Sequence, residues 1–165
     1  MVSTRAAQLT NPGTEYTALT PSSDKKPHKI GARGRARRRA LEILFEAEHR
    51  GTTPLEALQR RRDYTEQTIN PYTAAIIDGV IGHKEQIDEL LAQYAHGWTM
   101  ERMLAMDKSI LRLGAWELLF NEEMPDAAAV NEAVNMAREY SNDDSPGYVN
   151  GVLGRLQELK PTLLL

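Results

Sequence analysis

Asp107-Lys-Ser-Ile-Leu-Arg-Leu-Gly-Ala-Trp-Glu-Leu118 is the stretch of sequence that decides the fold. Its apolar residues recur every three or four positions, which is the spacing of an α-helix with one face in a core. We expect Asp107 to cap the first turn of this helix. The residues that the spacing places in the core are Ile110, Leu111, Gly114, Ala115 and Leu118.

Start and stop signals divide the rest of the chain into further helices. Thr53-Pro-Leu-Glu56 has the form of a capping box with proline at the first helical position, and Asn70-Pro71 and Ser145-Pro146 also place a cap before a proline. Gly79 and Gly82 are expected to be points of close packing. The predicted helices cover approximately residues 32–51, 54–62, 71–97, 99–105, 107–118, 125–137 and 145–160.

No segment alternates between apolar and polar residues over the length of a strand, so we predict an all-α fold of about seven helices. Residues 1–31 are rich in Ser, Thr, Pro, Gly and Asn and lack a sustained apolar period. They are predicted to form a disordered tail with a basic end. The helical domain is predicted to span residues 32–160.

Composition limits the location of the chain. Apolar residues make up 41% of the 165 positions, but no apolar run approaches the roughly 20 residues that span a membrane. The first residues lack the apolar core of a secretory signal, and the sequence has no cysteine, which excludes disulfides and thiolate metal sites. We therefore expect a soluble, cytoplasmic protein with no membrane partner.

The charge distribution predicts a polyanionic partner. Residues 1–39 carry a net charge of +7, and the remainder of the chain carries −10. Arginine suits bidentate contact with phosphate, and cations in the first turn of a helix are unfavourable until an anion neutralises them. A flexible arm that orders on single-stranded RNA is the preferred interpretation, although the charges alone do not distinguish RNA from DNA. A solubilising basic arm is the alternative.

If these arginines bind RNA, replacing Arg37, Arg38 and Arg39 with Gln is expected to weaken RNA binding. The same change is expected to leave the stability of the free protein unchanged or slightly higher. If they instead form ion pairs with the acidic body, the triple variant is expected to unfold earlier in urea.

No pattern of catalytic residues stands out. Glu46 and His49 have the Glu-x-x-His spacing of di-iron bundles, but no second pair of this kind exists in the sequence. Glu122-Glu123 and Asp143-Asp144 are read as ordinary acidic residues near helix ends. We predict that the chain is not an enzyme and requires neither cofactor nor metal.

Three stretches resemble the NusB antitermination family. They are Arg35-Ala-Arg-Arg-Arg-Ala-Leu-Glu-Ile-Leu-Phe45, the stretch 107–118, and the region from Pro125 through Asn131-Glu-Ala-Val-Asn-Met-Ala137 to Ser145-Pro-Gly-Tyr-Val-Asn-Gly-Val-Leu153. The family usually has tyrosine at Trp116 and phenylalanine at Tyr148, and both exchanges keep an aromatic core residue.

The resemblance implies two packed helical subdomains and binding to boxA RNA together with NusE, a ribosomal protein. It further implies a role in the RNA polymerase antitermination complex on ribosomal RNA operons. Glu101, on the predicted helix 99–105, is a candidate for the NusE surface. The residues that the resemblance assigns to RNA contact are Arg33, Arg35, Arg37, Arg38, Arg39, Arg138 and Ser145.

For Ser145 there is also an independent reason, because a helix N-terminus offers backbone N–H groups to a phosphate. Three other functions stay open at this point. The chain could be a noncatalytic accessory of ribosomal RNA maturation, or a NusB-like domain related to those of RNA methyltransferases. A helix-turn-helix DNA binder is the third, but its cations would lie on a recognition helix.

Overall fold

The computed structural model describes residues 30–64, 68–163 and 165. Within this part of the chain there are seven α-helices and no β-strand. The all-α prediction is therefore confirmed, whereas most of residues 1–31, the predicted tail, lie outside the described residues. The helices are α1 (Ala32–Arg50), α2 (Pro54–Tyr64), α3 (Pro71–Gly82), α4 (Lys84–Tyr94), α5 (Ala105–Leu119), α6 (Asp126–Tyr140) and α7 (Ser145–Leu159), followed by a 3₁₀ turn at Lys160–Thr162.

Helix α5 lies at the centre of the fold and joins two groups of helices. It packs against α1, α3 and α4 and also against α6 and α7. All five positions predicted for its core face are buried. Gly114 lets α6 and α7 approach α5 closely, because a Cβ at this position would lie 2.7 Å from Leu153 Cδ1 on α7 and 3.0 Å from Ala133 Cβ on α6.

Two of the predicted caps are confirmed. The Thr53 backbone N–H donates to Glu56 Oε2 at 3.0 Å, and the Glu56 N–H donates to Thr53 Oγ1 at 3.1 Å, which completes the capping box. At the start of α3, the Tyr72 N–H donates to the Asn70 side chain at 2.8 Å. Both caps depend only on neighbouring residues, which is why the sequence alone predicts them.

The single helix predicted for residues 71–97 is wrong, because the chain breaks at His83 into α3 and α4. His83 has φ −115° and ψ 14°, outside the helical range, and its ring stacks on Phe120 with the ring centres 3.8 Å apart. The short helix predicted for residues 99–105 is also wrong. Thr99 caps only a turn, in which its hydroxyl accepts from the Arg102 N–H at 3.3 Å.

Gly79 is a point of close packing between α3 and α5, as predicted, whereas Gly82 has open space around it. A Cβ at Gly79 would lie 2.0 Å from Nε1 of the Trp116 indole. We expect Gly79→Ala to lower the free energy of unfolding by about 1–3 kcal/mol, because the indole must move out of a packed interface. Urea denaturation measures this loss.

Gly82→Ala is the matched control for that change, since it lies on the same helix and meets no neighbouring atom. It is expected to leave stability unchanged or to raise it by up to about 1 kcal/mol, because alanine favours the helix. Equal effects of the two substitutions would contradict the close approach of α3 and α5.

None of the described helices combines the length and the apolar character that crossing a membrane requires.

Candidate nucleic-acid interface

The arginines at the start of α1 divide into two groups that face different surroundings. Arg37 is only 3% exposed, and its Nε and Nη2 donate to the two carboxylate oxygens of Glu117 at 2.7 and 3.0 Å. Glu117, on α5, is 0% exposed and also accepts from the hydroxyl of Tyr72. Arg37 Nη1 lies 3.4 Å from Glu132 on α6. This buried polar network joins α1, α3, α5 and α6.

The network sets the protonation of its members. Burial alone would lower the pKa of Arg37, but the hydrogen bonds and negative charge of Glu117 outweigh it and the pKa is raised. Burial and the bond to Glu117 raise the pKa of the Tyr72 hydroxyl to about 12. Arg37 therefore stays charged and Tyr72 stays neutral at physiological pH.

Arg38 also forms an ion pair with the body. Its Nε and Nη2 donate to both carboxylate oxygens of Glu139 on α6, at 2.8 and 2.5 Å. The structure does not present the predicted RNA contacts Arg37 and Arg38 to a polyanion, because Arg37 is buried and the fork of Arg38 is occupied by Glu139. These pairs instead favour the interpretation in which arginines of this run form ion pairs with the acidic body.

Arg33, Arg35 and Arg39 form the second group, which reaches solvent. Arg33 is 52% exposed, and its guanidinium carbon lies 4.5 Å from the centre of the Tyr72 ring. Arg35 is exposed and donates to the carbonyl of Ile30 at 2.9 Å. Arg39 is 42% exposed and lies 3.9 Å from Glu42. We call these three residues the exposed arginine set; it is the part of the predicted RNA arm that can meet a polyanion.

Ser145 does not offer a phosphate site. It is buried, and its hydroxyl lies within hydrogen-bond distance of Asp107 Oδ2, at 3.1 Å, and of Ser141 Oγ, at 2.9 Å. Its backbone N–H donates to the carbonyl of Asn142 at 3.0 Å. The argument from a free backbone N–H therefore does not hold for Ser145, because its side chain and its N–H are both engaged within the protein.

The prediction that Asp107 caps α5 is wrong, because Asp107 lies inside this helix. Helix α5 begins two residues earlier, and the Asp107 carboxylate accepts from the hydroxyls of Ser141 and Ser145. Burial raises the pKa of Asp107 more than these two hydrogen bonds lower it. The side chain thus joins α5 to the α6–α7 connection.

The remaining predicted contacts are at the surface. Arg138 is exposed near the end of α6, and its Nη1 donates to Asn135 Oδ1 at 2.9 Å. Glu101 is exposed as well, but it lies on the turn between α4 and α5 and not on a helix.

The acidic residues are engaged with arginines as well. Glu46, which has the Glu-x-x-His spacing with His49, lies 3.1 Å from Arg60 and 3.7 Å from Arg50. Across residues 30–64 and 68–163, no group of three or more His, Asp or Glu side chains could hold a metal ion.

The sequence contains a signal for the burial of Arg37. Leu44, Leu41 and Arg37 are separated by three and four residues, so Arg37 continues the core face of α1 toward its start. Glu117 likewise lies three residues after Gly114, on the core face of α5. A cation and an anion that each extend an apolar stripe are candidates for a buried pair.

Fold and site together define the class of protein: an all-α protein of seven described helices whose first helix begins with exposed guanidinium groups. Solved structures share this fold. NusB from Thermotoga maritima is 27% identical with a TM-score of 0.67, and the match covers 78% of this chain and 92% of that protein. A solved complex of the antitermination factors NusB and NusE with double-stranded RNA matches in fold, with a TM-score of 0.65 at 23% identity over 78% of this chain and 98% of the matched chain.

The chain belongs to the NusB family, whose model matches residues 34–158. The transcription antitermination protein NusB of Arthrobacter sp. (strain FB24) is 53% identical over 135 residues, which are 82% of this chain and 99% of that protein. The NusB of Paenarthrobacter aurescens (strain TC1) is 56% identical over the same shares of both chains.

Proposed function

We propose that this chain is a noncatalytic transcription antitermination factor that binds boxA RNA together with the ribosomal protein NusE. It acts in the cytoplasm, within the RNA polymerase antitermination complex on ribosomal RNA operons. The observation that carries this proposal is the family match over residues 34–158, with relatives named transcription antitermination proteins at more than 50% identity. A NusB–NusE–RNA complex of the same fold supports the choice of partners.

The exposed arginine set supplies the RNA contact in this proposal. Guanidinium groups bind phosphate oxygens through two parallel N–H bonds, and they also stack on bases. The Arg33 guanidinium lies over the Tyr72 ring, in reach of a cation–π contact, and its side chain is still 52% exposed. Arg138 is a further contact, and Glu101 belongs to the surface for NusE. Arg37, Arg38 and Ser145 are left out because the protein itself occupies their polar groups.

The alternative of a NusB-like domain related to those of RNA methyltransferases is less well supported. The match covers 99% of the Arthrobacter relative, so that relative consists almost entirely of the helical domain. A helix-turn-helix DNA binder is also disfavoured, because the exposed arginine set lies in the first part of α1, the first described helix, and not on the second helix of a helix-turn-helix pair.

Binding of RNA and NusE should be coupled. We expect the affinity for single-stranded boxA RNA to rise about 5- to 150-fold at saturating NusE, because both ligands share one complex and couple thermodynamically. Titration of the full chain with labelled RNA, with and without NusE, measures this, and a scrambled RNA of equal length is the control. By linkage, RNA must tighten NusE binding by the same factor. Dissociation constants that do not change with NusE would refute the joint complex.

A further inference from the structure

A groove of about 250 Å³ lies between the start of α1, the end of α2 and the start of α3. Three arginines line it: Arg35 and Arg39 from α1, and Arg61 from α2. The other residues in its wall are uncharged: Ala32, Ala36, Thr68, Ile69, Asn70 and Thr73. Among the residues that the structure describes, no carboxylate is part of the groove wall, although the whole chain carries 23 acidic residues against 20 basic ones.

The arrangement of these arginines suits a chain of phosphates. Arg35 and Arg39 are one helical turn apart, so their positions are separated by about 6 Å along the axis of α1. Arg61 faces the same groove from a different helix. One small anion would engage one or two guanidinium groups, whereas successive phosphates of an extended strand can engage all three.

Two carboxylates hold Arg61 from outside the groove. Its Nη1 lies 3.4 Å from Glu42 Oε2, and its Nη2 lies 3.5 Å from Glu46 Oε2. Glu42 and Glu46 line a separate groove on the other side of Arg61. Glu42 also lies 3.9 Å from Arg39 Nη1, so it pairs with two of the three groove arginines, but neither Glu42 nor Glu46 is part of the groove wall. The separations of 3.4 and 3.5 Å are long for charge-assisted hydrogen bonds.

We propose that this groove binds the phosphates of single-stranded RNA, with Arg61 on α2 as a contact in addition to Arg35 and Arg39. The proposal rests on the proposed RNA-binding function and extends it to a residue outside the arginine-rich start of α1. A flexible single strand can enter a groove enclosed by three helices, whereas a duplex presents its phosphates on a stiff, convex surface. The N-terminal end of α3 adds a favourable dipole at the same place.

The test compares Arg61→Gln with Arg62→Gln in the full chain. Arg62 is the next residue on α2, is exposed and does not line the groove, so the control removes the same charge. The probe is single-stranded boxA RNA in the presence of NusE. We expect Arg61→Gln to weaken binding on the order of tenfold at low salt and to reduce the log–log salt slope by about 0.7. Arg62→Gln should change affinity by no more than about twofold.

A second measurement identifies the contact itself. A series of RNAs is prepared in which one phosphate at a time is replaced by an uncharged methylphosphonate. At one linkage, the replacement is expected to weaken binding to the parent chain but not to Arg61→Gln, because the variant has already lost that partner. If Arg61→Gln unfolds under the assay conditions, Arg61→Lys takes its place, since lysine keeps the charge but loses the planar fork.

The outcomes separate the two proposals. Equal affinities and salt slopes for Arg61→Gln and Arg62→Gln, or no linkage whose effect depends on residue 61, would overturn the groove as a phosphate site. Tighter binding of a duplex of the same sequence, with the same dependence on Arg61, would overturn the choice of a single strand. Failure of the parent chain to bind boxA RNA at all would instead overturn the proposed function.

Discussion

Arg37→Gln is expected to lower the free energy of unfolding by about 3–5 kcal/mol, the cost of leaving a buried charge without its partner. Glu117 is fully buried, and after the substitution it would keep the Tyr72 hydroxyl but lose both bonds from the guanidinium. Glutamine is a good helix former, so the loss cannot come from helix propensity. Urea denaturation followed by circular dichroism measures the change.

Arg39→Gln is the matched control, because it lies on the same helix and is 42% exposed. It should change stability by less than about 1 kcal/mol. The double variant Arg37→Met/Glu117→Met should recover much of the loss, since an apolar pair of similar volume needs no compensation for buried charge. An Arg37→Gln variant as stable as Arg39→Gln would show that the buried pair does not hold the helices together.

Replacing Arg33, Arg35 and Arg39 together with Gln should have the largest effect on RNA binding. Three phosphate partners at roughly 0.7 each would make the log–log salt slope shallower by about 2 units. At low salt the affinity should fall by on the order of a hundredfold or more. The fold should survive, because the pairs that anchor α1 are those of Arg37 and Arg38.

A triple variant with the same loss of charge gives the control for that experiment. Arg50, Lys84 and Arg155 are each more than half exposed and lie outside the exposed arginine set. Their replacement with Gln should weaken RNA binding only through net charge, and this weak effect should disappear at moderate salt. Equal losses in both triple variants would mean that RNA senses the overall charge and not this surface.

Local rules explain what the sequence alone predicts correctly. The core face of α5 depends on helical spacing, and the caps at Thr53 and Asn70 depend on hydrogen bonds within two or three residues. The resemblance to the NusB family also predicts the fold, because the motifs that carry it lie on α1, α5, α6 and α7. These parts of the prediction need no knowledge of which helices become neighbours.

The predicted site residues that the structure turns inward have partners far away in the chain. Arg37 and Glu117 are 80 residues apart, and Asp107 and Ser145 are 38 residues apart. A run of arginines at a helix start is typical of a solvent-exposed arm, so charge alone does not show which of them turns inward. The break at His83 has the same origin, because the stacking partner Phe120 lies on a different part of the chain.

The inward position of Arg37 also fixes the rotation of α1 about its own axis. Arg35 and Arg39 lie two residues to either side, which turns each of them about 200° away from the anchored face. If RNA binds the exposed arginine set as proposed, it meets these cations on a helix that is already formed from Ala32 onward, and the backbone entropy of ordering this segment is not lost on binding. Encounter with these arginines is then governed by diffusion and charge attraction rather than by the folding of a flexible arm.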